Sequence, residues 1–133
     1  MLKTFRFVRY MFYSLYVDGI CTKDGKILLV KRNCEPFKGF WHFVGGRVHK
    51  HESLEAALKR EFKEETNLDV QVGEAIGWRI EQSFDRTKII VALKIVGNKG
   101  KVKLNCENEE YGWFSKIPVP SIYDYSKYLN AHA

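Results

Sequence analysis

The chain has 133 residues, of which 45% are hydrophobic and 14% aromatic, and its formal net charge is +6. That length suits a single domain spanning 1–133 with a real core, and that apolar content excludes a disordered chain. A positive charge, with a sequence pI near 9.2, can attract nucleotides, polyphosphates, RNA or acidic lipid, but solvated lysine on an ordinary surface accounts for it more simply. The basic residues are scattered, as in Lys99-Gly-Lys101-Val-Lys103, without a nucleic-acid-binding signature.

Met1–Tyr16 is aromatic and carries Lys3, Arg6 and Arg9. It lacks an uninterrupted apolar stretch or a small-residue cleavage site, so neither a signal peptide nor a membrane span is expected. A short lead-in and an N-terminal strand are expected instead. Tyr13–Cys21 is β-branched and aromatic enough for that strand. Asp24-Gly25 is a hairpin turn signal, with Lys26–Lys31 as the return strand. Asn33–Gly39 reads as a Pro/Gly loop. Trp41–Val48 holds short strands around Gly45-Gly46, where glycine opens backbone angles closed to other residues and lets a ligand approach the main chain.

Ser53–Thr66 reads as a helix with Ser53 as N-cap and Glu55 in the first turn. Asp69–Arg79 is a strand region broken at Gly73 and Gly77. Lys88–Val96 is an apolar strand, followed by a Gly97-Asn98-Lys99-Gly100 turn. Glu110–Ser115 is a further strand. Pro118 and Pro120 introduce Ser121–Asn130, which reads as a terminal helix. This order suits an α/β fold, a mixed sheet with helices on its faces. Cys21, Cys34 and Cys106 are odd in number and far apart in sequence. They argue against a disulfide framework or a zinc knuckle and suit a reducing cytoplasm.

The helix carries its acids in an unusual place. At about 100° per residue, Leu54, Leu58 and Phe62 span a sector of roughly 80°. Glu65 projects into that sector and Glu61 lies beside it, with Glu64 at the edge. Carboxylates at the rim of a core are costly unless cations compensate them. Two readings follow from the residues alone. One is an Arg–Glu network centred on Arg60. The other is a divalent metal site, because magnesium-like cations favour carboxylate oxygens and Glu61, Glu64 and Glu65 are one turn or less apart.

Gly46–Leu68 resembles the Nudix box, Gly-x5-Glu-x7-Arg-Glu-U-x-Glu-Glu-x-Gly-U with U a bulky aliphatic residue, through Gly46, Glu52, Arg60, Glu61, Glu64 and Glu65. Phe62 replaces the aliphatic residue, and Asn67 replaces a glycine at a position that commonly needs left-handed angles, which Asn tolerates next best. Val44 stands where relatives often have proline. The resemblance extends from about Val17 to Phe114. It includes Lys26–Lys31 with Arg32, Pro36-Phe37-Lys38-Gly39, Trp41, and Glu110-Tyr111-Gly112-Trp113-Phe114.

The resemblance implies the Nudix α/β/α sandwich and hydrolysis of a nucleoside diphosphate linked to another group. It implies a Mg2+ or Mn2+ cofactor held by Glu61, Glu64, Glu65 and the Gly45 carbonyl, with one glutamate also serving as base. Arg60 would orient the helix acids, and Glu52 would brace the loop. Arg32, Phe37, Lys38, Trp41 and Arg47 are the candidate substrate-binding residues: cations for phosphate, aromatic faces for a base. Phe40, Trp78 and Phe84 are further stacking candidates, and Glu107, Glu109 and Glu110 form a second acidic cluster that would offer an extra base or ligand. His42, His49 and His51 lack metal-ligand spacing and read as plain surface residues.

The expected partner is a small-molecule nucleotide, with no membrane and no nucleic acid, and with room for a homodimer. Pro36–Gly39 resembles ADP-ribose pyrophosphatases, while Gly39–Leu54 also resembles GDP-mannose mannosyl hydrolases, which cleave at the sugar carbon. The complete box, with Asn108 near the place of their histidine base, favours attack on phosphorus. The alternatives are mannosyl cleavage, triphosphate pyrophosphohydrolysis and a non-enzymatic nucleotide sensor.

Overall fold

A computed structural model describes residues 13–82, 86–124 and 128–129, and among these described residues eight strands and one long helix form the framework. The first strands are β1 (Tyr13–Ile20), β2 (Thr22–Lys23), β3 (Lys26–Arg32), β4 (Trp41–His42) and β5 (Val44–Arg47). Helix α1 (Leu54–Thr66) follows, then β6 (Asp69–Gln82), β7 (Thr87–Lys99) and β8 (Asn108–Phe114). One sheet has the order β5-β1-β7-β6. It is mixed, because β1 runs parallel to β7 while β5 and β6 join antiparallel. The other sheet has β3 between β4 and β8, with β2 hairpinned onto it.

Alternation along β1 explains the layering. Val17 faces α1 and packs with Leu58, Phe62, Val44, Leu93 and Val70 in one buried cluster. On the other side Ile20, Ile27, Leu29, Trp41, Phe43 and Ala92 gather with Tyr128 in a second. The expected terminal helix, Ser121–Asn130, is corrected at its start: Ser121–Asp124 are not helical, and Ser121 instead makes a parallel bridge to Trp41. Tyr128 and Leu129 are helical. The rest of that segment, the lead-in before Tyr13, and Phe84 lie outside the described residues.

Three expectations change. The strand from Asp69 is not interrupted at Gly73 and Gly77. It continues to Gln82, with irregularities in its pairing to β7 between Gln71 and Gly77. A bulge absorbs an extra residue without ending a strand. Gly97-Asn98-Lys99 is not a turn either, since Gly97 pairs with Gln71 and Lys99 with Asp69, and only Gly100, at φ +108, turns the chain. Gly45 and Gly46 lie within β5, and neither has a positive φ. Their requirement is space. A Cβ at Gly46 would stand 2.5 Å from the Glu61 carboxyl carbon, and one at Gly45 would collide with the Val17 carbonyl.

Candidate active site

Helix α1 is built to deliver its acids. Ser53 Oγ accepts from the Ala56 amide at 3.0 Å. Asn67 ends the helix in the left-handed region, φ 67, with its N–H bonded to the Lys63 carbonyl at 3.1 Å. Phe62 fits because its ring lies over Gly19, where any Cβ would clash with it. With Leu58 and Phe62 buried, Glu61 and Glu65 are carried inward beside them.

The two acids meet different environments. Arg60 Nη1 donates to Glu61 Oε1 at 2.7 Å, while Nε and Nη2 grip both oxygens of Glu52 at 2.8 and 2.9 Å. The Arg60 Nη2 also donates to the Arg47 carbonyl at 3.0 Å. Glu52 accepts the His49 amide as well, at 2.9 Å. The Arg60 guanidinium, followed by that amide, holds the Glu52 carboxyl down at about 2. Arg60 and Glu52 thus fasten the loop of residues 48–53 to the helix.

Glu65 is only 3% exposed. It accepts from Asn108 Nδ2 at 2.8 Å and from the Gly45 amide at 3.3 Å. No cationic side chain bonds it among the described residues. Burial, followed by the charges of Glu61 and Glu107, pushes its pKa up to about 8 against the partial relief of those neutral donors. Burial also raises Glu61, with Arg60 opposing.

Glu61, Glu65 and Glu107 line one end of a cleft of about 490 Å³, with Gly45 and Gly46. That volume is within the range of small-molecule sites. Arg32, Arg47 and Phe37 line it too. Phe37 is 53% exposed, and its ring meets Phe40 edge-on at 5.4 Å between centroids.

Four other candidates sit elsewhere. Glu64 is absent from the cleft wall; its side chain is 53% exposed and 3.4 Å from Arg60. Lys38 is exposed on the loop and does not line the cleft. Trp78 is exposed outside it. Trp41 is corrected from substrate contact to core: it is buried with its ring 4.8 Å from that of Phe114, because β4 turns it inward. Among the described residues, no three acidic, histidine or cysteine side chains converge closely enough to enclose an ion, since Arg60 draws Glu61 and Glu64 to itself.

Another part of the cleft lining was not foreseen. Asp18 is bonded by Arg79 Nη1 at 2.9 Å, and Arg79 Nε reaches Glu81 at 3.2 Å. The Arg79 guanidinium stacks 4.5 Å from the Tyr123 ring centre. Burial raises the Asp18 pKa, with Arg79 opposing. Sixty-one positions separate Asp18 from Arg79, and only β7, lying between β1 and β6, brings them together. His42 is corrected from the surface to the wall of the cleft, partly buried between Phe43 and Asn108. A two-residue strand gives no periodic signal from which its direction could be read.

The NUDIX domain model matches residues 15–122. The chain belongs to the Nudix hydrolase family. It is 36% identical to an ADP-ribose pyrophosphatase of Methanocaldococcus jannaschii, over 96% of this chain and 76% of that protein. It is 43% identical to a CTP pyrophosphohydrolase of Escherichia coli, over 45% of each chain. A MutT NUDIX hydrolase from Burkholderia pseudomallei shares the fold, with TM-score 0.81 and 22% identity over 91% of this chain and 98% of that one. As a Nudix pyrophosphohydrolase, the chain is a hydrolase of acid anhydrides. No helix among its described residues is long and apolar enough to cross a membrane.

Glu65 makes the site testable by pH. Its folded pKa lies above the usual carboxylate value of 4.5, so the stability it confers is complete below about pH 4.5. That stability is lost as pH rises through about 8. In chelator, the melting temperature of Glu65→Gln minus that of the wild type is expected to grow from pH 5 to pH 8.5. A flat difference would contradict the burial of an unpaired carboxyl.

Proposed function

We propose that this pyrophosphohydrolase acts on a nucleoside diphosphate linked to a sugar, ADP-ribose first, by attack of water on phosphorus. The observation that carries the reading is Glu65, a buried carboxyl that no cationic side chain bonds among the described residues, facing a cleft with Glu61 and Glu107. Oxygen donors of this kind fit a hard divalent ion, and buried carboxylates require a positive partner. Glu61, Glu65 and the Gly45 carbonyl are the candidate ligands; Glu64, exposed and beside Arg60, would have to turn from Arg60 to join them. A magnesium or manganese ion bound there supplies neutralisation of phosphoryl oxygens and a lowered pKa for the attacking water.

The chain's own residues do the rest. Arg32 and Arg47 meet the diphosphate as charge-assisted donors. Phe37 offers an exposed face to the base. A helix carboxylate accepts the proton of the attacking water while the bridging P–O bond breaks, leaving two phosphate monoesters. Arg60 keeps Glu61 aligned. The ADP-ribose pyrophosphatase relative, matched along most of both chains, supports the sugar-linked substrate. The CTP pyrophosphohydrolase relative supports a triphosphate as the second reading. A cytoplasmic location accords with the three free thiols.

Turnover of ADP-ribose is expected to need Mg2+ or Mn2+ and to stop in chelator. Its kcat/KM is expected to exceed those for GDP-mannose, CTP and dGTP. In oxygen-18 water the label should enter a phosphate product. Preference for a triphosphate would move the substrate to the second reading, and label on the free sugar alone would refute attack on phosphorus.

A further inference from the structure

Glu65 does not stand alone in the wall of the cleft. Asn108, at the start of β8, is 4% exposed and reaches Glu65 Oε1 through Nδ2 at 2.8 Å. His42 of β4 places Nε2 3.1 Å from Asn108 Oδ1, and its Nδ1 is 2.6 Å from the Phe43 carbonyl. Three elements thus converge in one chain of polar contacts, and no buried side-chain nitrogen or oxygen among the described residues lacks a partner.

The donors and acceptors of this chain impose a direction. A carboxylate only accepts, so an ionised Glu65 needs the amide NH2 of Asn108 and is repelled by its oxygen. Asn108 Oδ1 then faces His42 and needs an N–H there. With Nε2 donating, His42 fixes the amide; an unprotonated Nε2 would accept instead and compete with Glu65 for the Asn108 NH2. The Phe43 carbonyl asks for a proton on Nδ1 as well, which favours the imidazolium. Burial, with the nearby Arg32 charge, outweighs these bonds and holds the His42 pKa below its ordinary value. The donors end on Oε1, while Oε2 receives only the longer 3.3 Å contact from the Gly45 amide and keeps lone-pair capacity for a cation.

We propose that His42 and Asn108 are a positioning pair that orients the Glu65 carboxylate for a divalent cation, His42 acting through Asn108. The inference rests on the metal reading of Glu65 given above. Partners behind a ligand typically change metal affinity by about 10- to 100-fold when removed. Two residues acting through one contact are non-additive.

The test is calorimetric titration of Mn2+ into the nucleotide-free protein, with melting temperature and steady-state kinetics on each variant. Asn108→Ala should weaken Mn2+ binding by about tenfold or more, with KM for ADP-ribose at saturating metal within about twofold. His42→Phe should weaken Mn2+ binding too, and His42→Gln, whose amide can still donate to Asn108, should restore most of it. The double variant His42→Phe/Asn108→Ala should bind no more weakly than Asn108→Ala. If Asn108→Ala does not fold, the contrast between His42→Phe and His42→Gln decides alone. Wild-type affinity in Asn108→Ala, equal affinities of the two His42 variants, or additive losses in the double variant would overturn the pairing. A wild type that binds no Mn2+ would overturn both the pairing and the metal reading beneath it.

Discussion

Glu65→Gln is expected to lower kcat by at least about tenfold, because it removes an anionic ligand while keeping the side chain's size. The same change should raise the melting temperature of the metal-free protein at pH 8, where the wild-type carboxyl is being forced to ionise in a buried place. Lost activity with gained apo-stability separates a functional carboxylate from a structural one. Glu61→Gln is expected to lower kcat similarly but to stabilise less, since Arg60 already compensates Glu61 at 2.7 Å. Steady-state kinetics and thermal melts in chelator read both effects. Near-normal turnover in both variants would return the helix to an Arg–Glu network.

Trp41→Ala and Phe37→Ala should part company. Trp41 is 8% exposed in the second core cluster, so its truncation should cost about 3 kcal/mol or more of stability and lower the yield of active enzyme. Phe37 is 53% exposed at the mouth of the cleft. Its truncation should leave the melting temperature nearly unchanged and raise KM roughly fivefold or more, the scale of one lost base stack. Denaturant unfolding and KM for ADP-ribose on the two variants check this. A stability loss in Phe37→Ala equal to that in Trp41→Ala would mean that the ring is core and not a platform.

That contrast also marks what was legible from residues alone. Phe37 lies in the Pro/Gly loop and Trp41 just after it, and composition makes each an equal candidate. Their difference arises from pairing: Trp41 opposite Lys31 in β4 is turned into the core, while Phe37 sits in the loop at φ 65. Helix α1 was legible because its evidence is local. Ser53, Asn67 and the 3.6-residue spacing of Leu58, Phe62 and Glu65 all lie within one short segment. The box glycines were legible in position but not in cause, since contact with Glu61 and Val17 requires their small size.

The Asp18–Arg79 part of the cleft lining was not legible. Asp18 and Arg79 meet only through the register of β1 on β7 and β7 on β6, which no periodicity encodes. His42 and Asn108 likewise lie 66 positions apart. The unbroken β6 was hidden because glycines that mark turns elsewhere here sit among irregularities in a long strand.

A divalent cation held by Glu61 and Glu65 is what the proposed hydrolysis depends on. Titration of Mn2+ into wild type and Glu65→Gln at pH 8, without nucleotide, followed by calorimetry, tests it most directly. Saturable binding to the wild type is expected, with binding at least about tenfold weaker to Glu65→Gln. Equal Mn2+ affinity in the two proteins would contradict it.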